Sequence, residues 1–168
     1  MKSPSLKALA AGIAALVACS LHAQEITLKV SHFWAPGAMA PTKIIGPWCD
    51  KVNKESGGKL KCQIYSAMQL GGTPAQLIDQ GKDGIADIVY TLPGYTAGRF
   101  PLMEVFELPF MNLNAESSSQ AVWDYYLTTP AVQKEFTGIK PLAFHVHDEG
   151  FVHTKDKQIK TLADFKGL

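Results

Sequence analysis

An α/β fold, a layered sheet with helices on both faces, is predicted by three features of this 168-residue sequence. Segments alternating apolar and polar residues recur, and segments with apolar residues three and four apart lie between them. One run, Ile85 to Thr91, is too apolar to stand half in water and suits the middle of a sheet covered on both sides. Thr-Pro and Gly-Gly pairs punctuate the elements where helices should start and stop.

Glu25 to Phe33 is the first strand, with Ile26, Leu28 and Val30 on one side and Thr27, Lys29 and Ser31 on the other. Phe33-Trp34-Ala35-Pro36-Gly37-Ala38 breaks the alternation and reads as a loop. A helix follows, with Ile44, Trp48 and Val52 at fourfold spacing and Ile45 and Cys49 beside them. Pro47 must sit in its first turn or kink it, and Gly57-Gly58 ends it. Leu60, Cys62 and Ile64 form the next strand. Thr73-Pro74 starts a helix, a hydroxyl cap followed by proline at the first helical position, and Gly81 closes it.

After the Ile85 strand, a loop rich in glycine and proline runs from Pro93 to Pro101. Helices are predicted around Ala115 to Leu127 and from Pro130 to Phe136, the second again with a Thr-Pro start. Ile139 to His147 returns to strand, and Phe151 to Thr154 reads as extended. Thr161-Leu162-Ala163-Asp164 resembles a capping box at the start of a short helix ending at Gly167. In such sheets ligands lie where strands give way to loops, at their carboxyl ends.

The amino-terminal residues read as an export signal. Lys2 and Lys7 precede an uncharged apolar stretch, Ala8 to Leu21, too short to span a bilayer comfortably. Cutting after Ala23 makes residues 1–23 the signal peptide and 24–168 the mature part. A competing cut before Cys19, in Leu16-Val17-Ala18-Cys19, would leave a lipid-bearing amino terminus. With 18% charged residues, a net charge of +1 and dispersed lysines, nothing points to a nucleic-acid surface. Cys49 and Cys62 remain beyond Cys19. In an oxidising compartment a disulfide is expected of them, the alternative being two buried thiols.

One segment offers metal chemistry. On a strand, His145, His147 and Glu149 would face one side and could form a three-ligand site, the basis for a metal-dependent periplasmic enzyme. The same run equally makes a strand end with a polar face. There is no Gly-x-Ser-x-Gly elbow, phosphate loop or dinucleotide fingerprint. No organic cofactor is expected.

From Asn53-Lys54-Glu55-Ser56-Gly57-Gly58-Lys59-Leu60 and Met68-Gln69-Leu70-Gly71-Gly72 onward, the sequence resembles a known family. Asp83-Gly84-Ile85-Ala86-Asp87-Ile88, Pro93-Gly94-Tyr95, Arg99-Phe100-Pro101, Glu107-Leu108-Pro109-Phe110 and the closing Ile159 to Leu168 continue the resemblance in order. The family is that of the DctP-like substrate-binding proteins of tripartite ATP-independent periplasmic (TRAP) transporters. It implies a periplasmic-binding-protein-like fold of two α/β domains around a cleft. Residues 24–168 would be the amino-terminal domain, the second domain being largely absent from this chain, as in a fragment.

The resemblance implies a monomeric periplasmic protein that captures a small organic acid and delivers it to the membrane subunits of a TRAP transporter. It implies no catalysis. Carried over by position, the ligand-binding residues are Phe33 and Trp34 after the first strand, Thr73 at a helix start, Tyr95 in the Pro93 loop, and Glu149. The family's carboxylate-clamping arginine is expected beyond Leu168, and Arg99 does not occupy its motif position. A lipid-anchored remnant that binds nothing is the other alternative.

Overall fold

Strand β1, Ile26–His32, pairs on both sides, with β2 (Leu60–Tyr65) and with β3 (Ile88–Tyr90). All pairings are parallel, in the order β2-β1-β3, so the carboxyl ends of the three strands emerge at one edge. The computed structural model describes residues 25–148 and 150–167. The expected leader, Cys19 and Glu149 lie outside the described residues. The chain divides into two compact units, Met1–Thr91 and Leu92–Leu168.

In the first unit the alternation of β1 sorts its side chains onto two covered faces. Val30 packs with Ile45 and Cys49 of the following helical segment, and Cys62, Ile64, Ile88 and Tyr90 border this cluster. Ser31 points the other way, toward helix α2 (Leu77–Lys82), where its hydroxyl donates to the side-chain oxygen of Gln80. Helices therefore lie on both faces, as the sequence predicts.

Helix α1, Gly46–Glu55, carries Pro47 in its first turn and is entered through a wide π-helical turn, Ala40–Ile45. Proline has no N–H and crowds the carbonyl four residues earlier, so the turn before it opens. The Gly46 N–H bonds back to the Pro41 oxygen, and a Cβ at Gly46 would stand 3.1 Å from that oxygen. The wide turn rotates the helix relative to the sequence expectation. Ile45 and Cys49 face inward, whereas Ile44 and Trp48 are exposed.

Cys49 and Cys62 form a disulfide, with Cα atoms 5.7 Å apart, joining α1 to β2. The apolar run near Ile85 gives a different result from the one expected. The regular strand is only Ile88–Tyr90, and β1 rather than β3 occupies the middle of the sheet. The Asp87 carboxylate explains the late start: it accepts the Lys29 N–H at 2.7 Å, while the Asp87 N–H donates to the Lys29 carbonyl. Ile85 is exposed, and Val89 lies under Gly81 of α2.

The second unit is built on α3 (Ala115–Thr128) and α4 (Pro130–Glu135). Asn114 caps α3 by accepting from the Ser117 N–H, and the Asp148 carboxylate accepts the Ala115 N–H at 2.7 Å. Phe100, Tyr126 and Phe136 are buried, with Phe144 against the last two and Phe100 stacked on Phe136. Edge-on and offset ring contacts of this kind add to area burial. The Glu135 carboxylate accepts the N–H groups of Leu102 and Met103, fixing the 3-10 turn Met103–Glu107.

Ile139 to His147, expected as a strand, has no ladder; Phe144 and Val146 lie against α3. Its polar anchor is a side chain: the Val146 N–H donates to the Ser119 hydroxyl at 3.0 Å. The apolar alternation that suggests a strand reflects packing on a helix here, with Phe144 against Trp123 and Tyr126. Phe151 to Thr154 is irregular. At Thr161 the capping box is present, leading a 3-10 turn, Leu162–Phe165.

Candidate functional site

The carboxyl ends of β1, β2 and β3 bring His32, Tyr65 and Tyr90 to one edge of the sheet, since His32 pairs with Tyr90 and Ser31 with Tyr65. Beyond β1 the chain bends at Phe33 and Trp34, whose rings stack with centroids 3.8 Å apart. Trp34 meets Tyr90 edge to face at 4.7 Å. Both Phe33 and Trp34 are half-buried, neither sealed in the core nor free in water. This aromatic group is what the mouth of an α/β sheet needs to hold a flat apolar ligand.

A polar layer lies beneath the rings. His32 is fully buried, and its Nε2 is 3.3 Å from the Ser66 hydroxyl. Its Nδ1 makes no hydrogen bond of good geometry, although the nearby Trp34 backbone acts to raise the imidazole pKa. Desolvation outweighs that contact and holds the pKa below the ordinary histidine value, so the ring is neutral near pH 7. Burial likewise pushes the Tyr90 hydroxyl up, keeping it a neutral donor.

The loop from Ser66 to Thr73 has an unusual backbone. Ala67, Met68, Gly71 and Gly72 have φ of 49°, 59°, 88° and 77°. The two glycines adopt this region freely, whereas Ala67 and Met68 store strain of order 1 kcal/mol each. Such a loop persists when its surroundings hold it. Its start is tied to the exit of β1, because Ala67 N–H donates to the Trp34 carbonyl and Met68 N–H to the His32 carbonyl. The aromatic bend and the loop are thus one hydrogen-bonded piece.

Thr73 is exposed at the end of this loop. The helix it begins is a single 3-10 turn, Pro74–Gln76, running into α2. Thr73 N–H donates to the Gln76 side-chain oxygen at 2.9 Å, so that donor is already engaged. The hydroxyl also contacts the same oxygen at 3.2 Å. A ligand at Thr73 would compete with Gln76 for these groups.

The remaining sequence-derived candidates belong to the second unit or lie outside the described residues. Tyr95 belongs to the second unit, in the 3-10 turn Pro93–Tyr95, and is 44% exposed. The carboxylate of Glu107 lies against Gly94, where a Cβ would meet it at 2.3–2.7 Å without movement. Among the described residues no group of three histidine, cysteine, aspartate or glutamate side chains could hold a metal ion. His145 and His147 lie in a segment without a ladder, which removes the strand geometry on which that reading rested.

His32, Ser66, Gln80 and Tyr90 were not singled out by sequence reasoning. Tyr90 was within reach, since it stands one residue before the end of a predicted strand, Ile85 to Thr91. The three others are polar residues inside apolar patterns, and only the fold reveals what they bond.

Residues 30–168 match the family described as bacterial extracellular solute-binding protein, family 7. A TRAP solute-binding protein from Rhodoferax ferrireducens T118, crystallised with copurified benzoate, is 56% identical with a TM-score of 0.80. The match covers 85% of this chain and 44% of that one. A marine metagenome TRAP solute-binding protein specific for aromatic acid ligands, in complex with 3-hydroxybenzoate, is 47% identical with a TM-score of 0.81. Here 86% of this chain and 44% of that one are covered. The outer membrane transporter protein TsaT of Comamonas testosteroni is 30% identical over 158 residues, 94% of this chain and 46% of its own. The chain spans a little under half the length of these relatives.

Proposed function

The chain belongs to bacterial extracellular solute-binding protein family 7, and on that premise we propose that it forms part of a periplasmic receptor for small aromatic carboxylic acids. The receptor would act as a monomer, without catalysis, and pass its ligand to the membrane subunits of a TRAP transporter. The observation that carries this reading is the Phe33–Trp34–Tyr90 aromatic group at the carboxyl ends of three parallel strands. A ring-bearing ligand gains from such walls, whereas a sugar acid would desolvate its hydroxyls against them. The relatives at 56% and 47% identity, solved with benzoate and 3-hydroxybenzoate, support the same ligand class.

Within this reading the ligand-binding residues are those the family resemblance implies by position, Phe33, Trp34, Thr73, Tyr95 and Glu149. The export signal at residues 1–23 would deliver the protein to the periplasm. Calorimetry on the full-length protein with benzoate, 3-hydroxybenzoate, succinate and a sugar acid tests the proposal. Micromolar binding confined to the aromatic acids is expected, about 8 kcal/mol of binding free energy. Trp34→Ala and Tyr95→Ala should each remove about 1–3 kcal/mol if the rings contact the ligand. Binding of the sugar acid or succinate alone would overturn the aromatic assignment.

A further inference from the structure

We propose that Gln80 is a positioning residue for the ligand site, fixing the Gly71–Thr73 end of the strained loop relative to Trp34. Gln80 is 5% exposed on the inner side of α2, beside the buried Leu77 and Ile78. A glutamine there is costly in desolvation and side-chain entropy unless its amide is fully bonded. It is bonded at both ends. Nε2 donates to the Gly71 carbonyl at 2.8 Å, and Oε1 accepts from the Ser31 hydroxyl at 3.1 Å.

The orientation of the amide is forced. The Gly71 carbonyl can only accept, so the nitrogen must face it, and the Ser31 hydroxyl must then donate to the oxygen. Gln80 is itself anchored, because its own carbonyl accepts the N–H groups of Ile85 and Ala86 that lead into β3. The side chain therefore spans from the buried carboxyl end of β1 to the glycine turn. Other ties at that end are local, Gly71 N–H to the Met68 carbonyl and Thr73 N–H to the Gln76 side chain, whereas the loop's beginning is held by the Trp34 and His32 carbonyls. With Gln80 in place both ends of the loop are registered to β1. Thr73 then stands at a fixed place relative to the aromatic bend. Without it, the left-handed residues are free to relax.

This inference rests on the proposal that Thr73 and Trp34 serve one ligand, and its test separates the two. In the full-length protein, Gln80→Glu keeps the acceptor for Ser31 but opposes a carboxylate to the Gly71 carbonyl. Gln80→Met keeps the volume and removes both bonds. Ile78→Val, on the same helix and equally buried, is the control for lost stability alone. Affinity for benzoate and 3-hydroxybenzoate is measured by calorimetry well below the melting temperature of every variant. Amide hydrogen exchange at Gly71 and Thr73 is measured without ligand.

Both Gln80 variants should bind about tenfold more weakly, the worth of one well-placed hydrogen bond. Ile78→Val should stay within about twofold while losing thermal stability. Exchange at Gly71 and Thr73, whose N–H groups are bonded to Met68 and Gln76, should quicken in Gln80→Met but not in Ile78→Val. Gln80 variants that bind as tightly as Ile78→Val would overturn the proposal, as would unchanged exchange. If Gln80→Glu does not fold, Gln80→Met and the exchange rates decide. If the unmodified protein binds neither acid, the aromatic-acid reading fails, and the exchange comparison alone decides whether Gln80 registers the loop.

Discussion

Removing the Cys49–Cys62 disulfide should lower stability substantially without changing the fold. The bridge closes a loop with a sequence separation of 13. In the chain-entropy relation a loop of that size constrains the unfolded chain by about 3 kcal/mol. The structure adds no reason to discount this value for poor placement. The Cα separation of 5.7 Å lies in the usual range, and Cys49 is 7% exposed in a cluster with Val30 and Ile45. Cys49→Ala/Cys62→Ala keeps a small apolar residue at each site, so cavity effects add little beyond the lost constraint. For a chain of this size about 3 kcal/mol corresponds to a melting-temperature drop of roughly 6–12 °C. Thermal circular dichroism of the unmodified protein, with and without a strong reductant, and of the double variant provides the comparison. The reduced protein and the double variant should melt together, below the oxidised form. Equal melting temperatures for oxidised and reduced protein would refute the reasoning. So would thiol labelling of both cysteines in unfolded, unreduced protein.

His32 should give the first unit a pH dependence. Its folded pKa lies below the ordinary value of 6.5, so the unfolded chain takes up the proton first as pH falls. The contribution is fully present above about pH 6.5 and is lost below it, down to the depressed folded value. Denaturant titrations across that window should show stability falling with pH in the unmodified protein and a flatter profile in His32→Asn. A steeper acid loss in the variant would contradict the assignment. In the second unit, Phe136→Ala should cost about 3–5 kcal/mol, because the ring is buried and meets Phe100, Tyr126 and Phe144. A melting temperature unchanged within error would show that the aromatic cluster is not what holds that unit.

Local signals predicted the fold well where one element decides its own form. The alternation of Ile26 to Ser31 becomes β1, and the Thr73-Pro74 and Thr129-Pro130 pairs each start a helical segment. The expected oxidising compartment makes the cysteine pair readable as a disulfide from sequence. Errors arose where a pattern has two physical causes. An apolar run beside a charged residue, as at Ile85 to Asp87, looks like a central strand, yet Asp87 takes the first ladder position with its side chain. Ile139 to His147 alternates as a strand does, but Phe144 packs on α3, Leu142 is exposed, and a serine hydroxyl takes the place of a neighbouring strand.

The site shows the same division more sharply. Phe33 and Trp34 could be placed from sequence, because residues just past a parallel strand must lie at its carboxyl edge whatever the rest of the chain does. Gln80 could not. From sequence it is a polar residue in a short helix, and the usual expectation turns such a residue outward. Its inward position depends on Ser31 offering a donor from one side and Gly71 a carbonyl from the other, across separations of 49 and 9 residues. Neither partner signals the other in the sequence. The Gly71 carbonyl in turn meets Gln80 from a turn in which Gly71 and Gly72 have positive φ. Glycine identity, backbone handedness and a buried amide are therefore one device. A substitution that forces either glycine out of the left-handed region should mimic loss of Gln80, even though it removes no atom from the amide.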